Sequence, residues 1–201
     1  MKPTAERILD AAESLFAEKG YSASSLGDVA DRVGIRPPSL YNHFKNKEAL
    51  HKAVVDRLLV QFKQPFEELI QGPLNTEAVL QWEEKMMRQH IANPNLAKLL
   101  AHSALSGEHI GSELVEGLFR PLFERTRPDE DTDIAFLQNK PQLRPWVVMA
   151  YVNLVMSYVT LAPLYRELLG DDPLSPKAAD MQVAFLQEFS RMFLSADAEK
   201  H

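Results

Sequence analysis

The chain has 201 residues, 45% of them hydrophobic and 25% charged, which is enough apolar content to bury a sizeable core in one or two domains. It holds no cysteine, which excludes a disulfide framework and a thiolate zinc site. A net charge of −6 argues against a polyanion gripped by the whole surface, but the charge is uneven. Over residues 1–50 seven basic and seven acidic side chains cancel, and residues 32–47 carry four cations and no acid. The sign of a small face matters more to a phosphate than the total.

The opening run MKPTAERILDAAESLF places acids inside its apolar pattern, unlike the unbroken apolar core of a secretory signal, so a cytoplasmic location is expected. Ala5, Ile8, Leu9, Ala12, Leu15 and Phe16 recur at helical spacing and predict a first helix of about four turns, stopped by Gly20. Ser25 opens a second helix with Asp28 in the reciprocal position of a capping box. Leu26, Val29, Ala30 and Val33 form its apolar face, and Gly34 supplies a left-handed C-terminal residue.

The next stretch, GIRPPSLYNHFKNKEAL, is denser in chemistry. A residue before proline is pushed out of the α region, so Pro37 is expected to be extended and Pro38 to open a third helix reaching about Phe44. Asn46 then caps a fourth helix that begins with Lys47 and Glu48. Leu40 and Phe44 face the core beside Ile35, which leaves Ser39, Tyr41, Asn42 and His43 outward. A glycine-ended helix, a turn of about four residues and a short polar helix form the pattern of a helix-turn-helix, whose second helix enters the major groove. Amides, hydroxyls and imidazoles read base edges, while Tyr41, Lys45 and Lys47 reach phosphates. Arg36 and Pro37 flank this set.

The run AAESLFAEKGYSASSLGDVADRVGIRPPSLYNHFKNKEAL resembles the N-terminal domain of the TetR family of bacterial transcriptional regulators, and residues 4 to about 60 carry the likeness. The resemblance implies an all-α protein. A three-helix DNA-binding domain over residues 1–46 would precede a C-terminal domain over 47–201 that dimerises and binds a small inducer, with residues 47–70 as a linking helix. It also implies that Ser39, Tyr41, Asn42, His43 and Lys47 contact DNA. The sequence departs from many members at Pro37-Pro38, where a small polar residue and glycine are usual.

Beyond residue 70, Gly72-Pro73 closes the linking helix, and helices are predicted over residues 76–92, 95–105 and 111–126, the last kinked at Pro121. Residues 127–141 read as an acidic loop with at most one helical turn. Two further helices are expected over 142–169 and 176–196. Between Arg144 and Arg166 lie 21 residues without a charge, about the length that crosses a bilayer. Asn153, Ser157 and Thr160 interrupt that run and Pro163 ends it, which favours a buried or dimer-forming helix and no membrane span.

Tyr151, Leu154 and Tyr158 repeat on this helix like a packed seam, and with Phe185 and Phe189 of the last helix they are the expected homodimer interface. Trp82, Met86, His90, Phe119, Phe123, Met149, Asn153 and Met156 are the expected lining of an inward pocket for a small hydrophobic effector, oriented through Asn153 or His90. No phosphate loop, nucleophile elbow or metal motif is present, and His90, His102 and His109 are only loosely grouped, so no catalytic residue, cofactor or metal is expected. The reading is therefore a dimeric regulator on a two-fold-symmetric operator in double-stranded DNA. The alternative is a DNA-binding protein whose C-terminal domain takes a protein partner.

Overall fold

A computed structural model of the chain describes residues 2–107, 114–127 and 132–194, and among these there is no strand. The elements are α1 (Thr4–Lys19), α2 (Leu26–Val33), α3 (Pro37–Tyr41), α4 (Lys47–Gln71), α5 (Thr76–Ala92) and α6 (Asn95–Ser106), then a π-helical turn (Val115–Phe119), α7 (Arg120–Glu124), α8 (Ala135–Asn139), a 3-10 turn (Pro141–Leu143), α9 (Arg144–Thr160), α10 (Ala162–Leu169) and α11 (Pro176–Leu194). They form two compact units. One holds the chain to Val60 and the segment from Asn95, the other Gln61–Pro94 and the segment from Glu116. The division falls inside α4 and places α6 with the N-terminal helices, a long-range pairing that no local pattern announces.

In the N-terminal unit, Ile8, Ala12, Leu15 and Phe16 of α1 are enclosed with Val29 and Ala30 of α2, Leu40 of α3 and Leu50, Val54 and Leu58 of α4. Polar contacts tie the helices where the apolar stripe ends. Arg7 donates to the Val33 carbonyl at 2.6 Å, satisfying an orphan acceptor at the C-terminus of α2. Glu13, 9% exposed, accepts from Arg57 of α4 at 2.5 Å and from Asn95 of α6 at 2.7 Å. One carboxylate thus joins three helices, with its charge compensated as burial requires.

In the C-terminal unit α5 packs on α11 and α9, and α11 also meets α8. The core includes Phe62, Phe66, Trp82, Met87, Val148, Val155, Leu186 and Leu194. The predicted single helix over 142–169 is instead divided, because Pro163 lacks the N–H that would bond one turn back and its ring obstructs that turn. The break falls at Leu161, and the pieces are bent by 62°. No single described helix is long and apolar enough to cross a membrane, although this bent pair reaches that length and composition together. The helix expected over 111–126 begins outside the described residues. From Val115 it is a π turn leading into α7, next to Pro121. Residues 128–131 of the expected loop, and the last two residues of the helix expected over 176–196, also lie outside the described set.

A polar cluster sits inside this apolar core. Tyr151 of α9 donates to Ser190 Oγ at 2.8 Å, and Ser190 lies 2.8 Å from both carboxylate oxygens of Glu83 on α5. Burial raises the Glu83 carboxyl to about 7, although hydrogen bonds from Ser190 and Tyr151 hold it down. Burial likewise raises the Tyr151 phenol. His90, wholly enclosed, packs on Phe62 at 4.5 Å and places Nδ1 2.8 Å from the Met86 carbonyl, so Nδ1 carries the proton; burial lowers it to about 4.

The two groups act oppositely on stability. Between about 4 and 6.5 the unfolded chain holds a proton at His90 that the folded unit lacks, so stability rises with pH. Between 4.5 and about 7 the folded unit holds a proton at Glu83 that the unfolded chain has lost, so stability falls with pH. The slopes, each at most about 1.4 kcal/mol per pH unit, nearly cancel over the shared window. Urea midpoints across this range should therefore be almost flat in the wild type, rise with pH in Glu83→Gln, and fall with pH in His90→Gln.

Candidate nucleic-acid interface

The short polar helix is held by devices on either side of it. Ser25 and Asp28 form the expected capping box of α2, with Asp28 N–H donating to Ser25 Oγ at 3.0 Å and Ser25 N–H to Asp28 at 2.8 Å. At the other end Gly34 is left-handed, at φ 74°, and the N–H of Ile35 reaches back to the Ala30 carbonyl at 3.0 Å. The chain then turns through an extended Arg36 into α3. This helix begins one residue earlier than expected. Pro37 is its first residue and Pro38 its second, which is tolerated because neither position has an N–H partner in a first turn.

Regular α-helix ends at Tyr41, short of the expected Phe44, and turn bonds from the N–H groups of His43 and Phe44 to the Leu40 carbonyl, at 2.9 and 3.0 Å, continue the coil. Leu40 is fully enclosed, while Ile35 and Phe44 are half-buried beside it. Arg36, Pro37, Ser39, Tyr41, Asn42, His43 and Lys45 are all exposed, Tyr41 by 54%. The structure thus exposes the predicted contact residues from Arg36 to Lys45 along α3 and the turns that follow it, with Lys47 at the first position of α4. Asn46 caps α4, accepting from Ala49 N–H at 2.8 Å.

Lys47, half-buried, differs from the rest. Its Nζ stands 4.1 Å over the Tyr21 ring and 3.4 Å from the Ser22 carbonyl. Arg32, the remaining cation of residues 32–47, is turned aside into a bidentate pair with Glu18 at 2.9 and 3.1 Å, which lowers the Glu18 carboxyl. Local pattern marks Tyr21 only by its place, an aromatic directly after a helix-ending glycine.

The C-terminal expectations fare unevenly. Trp82, Met86 and His90 are buried as predicted, and Trp82 lines an apolar cavity of about 40 Å³ with Leu69, Leu74, Leu122, Val148, Tyr151 and others. Phe119 and Phe123 are only half-buried; the π turn shifts the register so that Leu118 and Leu122 face inward. On α9 the expected orientation is reversed. Met149 and Asn153 are exposed and Met156 half-exposed, while Val148, Tyr151, Val155 and Val159 point inward. Tyr151 therefore belongs to the core and not to an outer seam. Leu154 and Tyr158 are half-buried, the latter donating to the Pro173 carbonyl. A helix apolar on every side carries no pattern to orient it; the inward tyrosine is the one whose hydroxyl finds Ser190 and Glu83.

Phe185 and Phe189 are exposed as predicted, by 59% and 44%, in a stripe with Met181 and Met192 on α11. Beside it a groove of about 210 Å³ is lined by Phe136, Leu143, Trp146, Ala150, Leu154, Phe189 and Phe193, and it shares Val147 and Tyr151 with the smaller cavity. Glu83 is marked in the sequence only by its helical spacing among Val79, Met86 and His90. Among the described residues no group of His, Asp and Glu is arranged to hold a metal; His109 lies outside them.

Comparison with known proteins bears on the N-terminal unit first. Residues 8–54 match the model of bacterial regulatory proteins of the tetR family. The HTH-type transcriptional regulator UidR of Escherichia coli K12 is 28% identical over 119 residues, covering 52% of this chain and 61% of its own length. The chain thus spans about three-fifths of this relative. The HTH-type transcriptional repressor ComR of the same organism is 44% identical over 57 residues, 28% of this chain and 27% of the relative. In fold, a transcriptional regulator from Streptomyces coelicolor matches with a TM-score of 0.68 at 17% identity, over 96% of this chain and 99% of that one.

Proposed function

Because this chain belongs to the tetR family of bacterial regulatory proteins, we propose that it is a dimeric, sequence-specific regulator of transcription that seats α3 in the major groove. The observation that carries the reading is the α3 turn itself. Seven of its eight proposed contact residues, Arg36, Pro37, Ser39, Tyr41, Asn42, His43 and Lys45, are exposed together around one enclosed leucine. Cations at its edges suit phosphates, and Asn42 suits the paired donor and acceptor of adenine. The likeness to a repressor over 57 residues favours repression.

Lys47→Ala should weaken binding to every duplex alike and reduce the slope of log affinity against log salt by about one, since a phosphate contact releases counterions and reads no base. Asn42→Ala should leave that slope unchanged and alter preference at one base pair by ~1–3 kcal/mol. Equal losses on all sequences for both variants, in titrations at stated salt, would contradict these roles.

Dimerisation is supported by the exposed apolar stripe of Met181, Phe185, Phe189 and Met192 on α11; Leu164 and Leu168 of α10 are exposed as well. A second copy across a two-fold axis would bury like against like and bring two recognition helices to successive half-sites. Because Phe185 and Phe189 are exposed, replacing both with aspartate should leave the helical signal intact while sedimentation shows a shift from dimer to monomer at micromolar concentration. A wild type already monomeric there would contradict this reading.

Ligand response is supported by the two apolar spaces that share Val147 and Tyr151. A hydrophobic effector seated in the groove would press on these two side chains and act on the smaller cavity they share, favouring one conformer of the unit. The chain's two tryptophans line one space each, Trp82 the void and Trp146 the groove. An effector should change both emissions and weaken DNA binding by the factor by which DNA weakens effector binding. A compound that alters Trp146 emission but not duplex affinity would speak against regulation through this site and for a protein-partner role.

A further inference from the structure

We propose that Tyr21 is a positioning residue that holds the Lys47 ammonium in place to meet a DNA phosphate; this rests on the reading of Lys47 as a phosphate contact. The tyrosine follows Gly20, whose backbone at φ 82°, ψ 169° is open only to glycine, and which a Cβ would bring within 3.2 Å of the His102 ring. The loop beyond it is pinned: Ser24 Oγ donates to the Gly20 carbonyl at 2.7 Å, and Ser24 N–H to the Tyr21 carbonyl at 3.2 Å. The ring itself is wedged between Phe16 at 5.9 Å and, edge-on, His51 at 4.8 Å. His51 lies one turn after Lys47 on α4, so the ring spans the first turn of that helix.

Over this fixed ring the ammonium stands at 4.1 Å, attracted by the negative π face, and the Ser22 carbonyl, from the same loop, lies 3.4 Å away. A lysine side chain loses much rotamer freedom when it grips a phosphate, and a perch of this kind removes part of that loss before DNA arrives. A lysine ammonium carries three N–H donors, so the perch is compatible with a phosphate contact. The α1–α2 loop thereby acts on DNA affinity through a residue of α4 without touching the duplex itself.

The test uses the full-length chain and a random-sequence duplex, with affinity measured over a range of salt. Tyr21→Leu should weaken binding about two- to fivefold with the salt slope unchanged, because the charge remains while its placement is lost. Tyr21→Phe should bind like the wild type, and Tyr21→Leu should add nothing in a Lys47→Ala background. NMR should show the Lys47 methylene protons shifted upfield by the ring in the wild type and Tyr21→Phe, and not in Tyr21→Leu. If Tyr21→Leu does not fold, Tyr21→Met keeps an apolar side chain against Phe16 and His51 without a π face. Independent, multiplying losses from Tyr21→Leu and Lys47→Ala would overturn the proposal, as would Tyr21→Phe binding as weakly as Tyr21→Leu. A wild type with no duplex affinity at low salt would instead overturn the DNA-binding reading on which it rests.

Discussion

The enclosure of Leu40 is the contact on which the N-terminal unit's function turns. Helix α3 has five residues, too few to persist alone, and Leu40 is the one it buries fully. What fixes the helix is the left-handed Gly34 before it, two prolines that restrict its first turn, and its packing on α2, with Leu40 fully enclosed. With the helix anchored through a single point, nearly every other side chain on that turn is offered outward. An outward polar face follows from this sparse burial, since a helix that contributed more to the core would have less to show.

The C-terminal unit is organised by the opposite condition, a surplus of apolar side chains. Tyr151, Ser190 and Glu83 link α9, α11 and α5 through hydrogen bonds inside the core and so fix which face of α9 turns inward. Once Val148, Val155 and Val159 are enclosed with Tyr151, and Val183, Leu186 and Leu194 of α11 are enclosed as well, Met149 of α9, Leu164 and Leu168 of α10 and Met181, Phe185, Phe189 and Met192 of α11 are left exposed. The exposed stripe and the groove beside it are consequences of that choice. The buried carboxyl, held near 7 by desolvation, and the buried imidazole, held near 4, impose pH costs of opposite sign on the same unit.

Much of this was legible from the sequence wherever local chemistry decides the outcome. The Ser25–Asp28 box, the Gly34 terminus, the Asn46 cap and the outward set from Ser39 to Lys45 are all written within a few residues of where they act. The boundaries of α3 were less so, because the bias of a residue before proline yields to the tolerance of a first turn. On α9 the sequence carries too little contrast between faces, and the deciding partners lie 39 and 68 positions away in Ser190 and Glu83. Tyr21 and the packing of α6 on α1 were obscured for the same reason, since what they touch is remote along the chain.

The most direct test of the central claim, that the turn around Leu40 meets DNA, is to map backbone amide shifts of the isotopically labelled chain on titration with a duplex pool at low salt. If this turn meets DNA, the largest changes fall between Arg36 and Lys47, with Leu40 itself still protected from hydrogen exchange. Changes confined to residues beyond Gln61, with this segment silent, would contradict it.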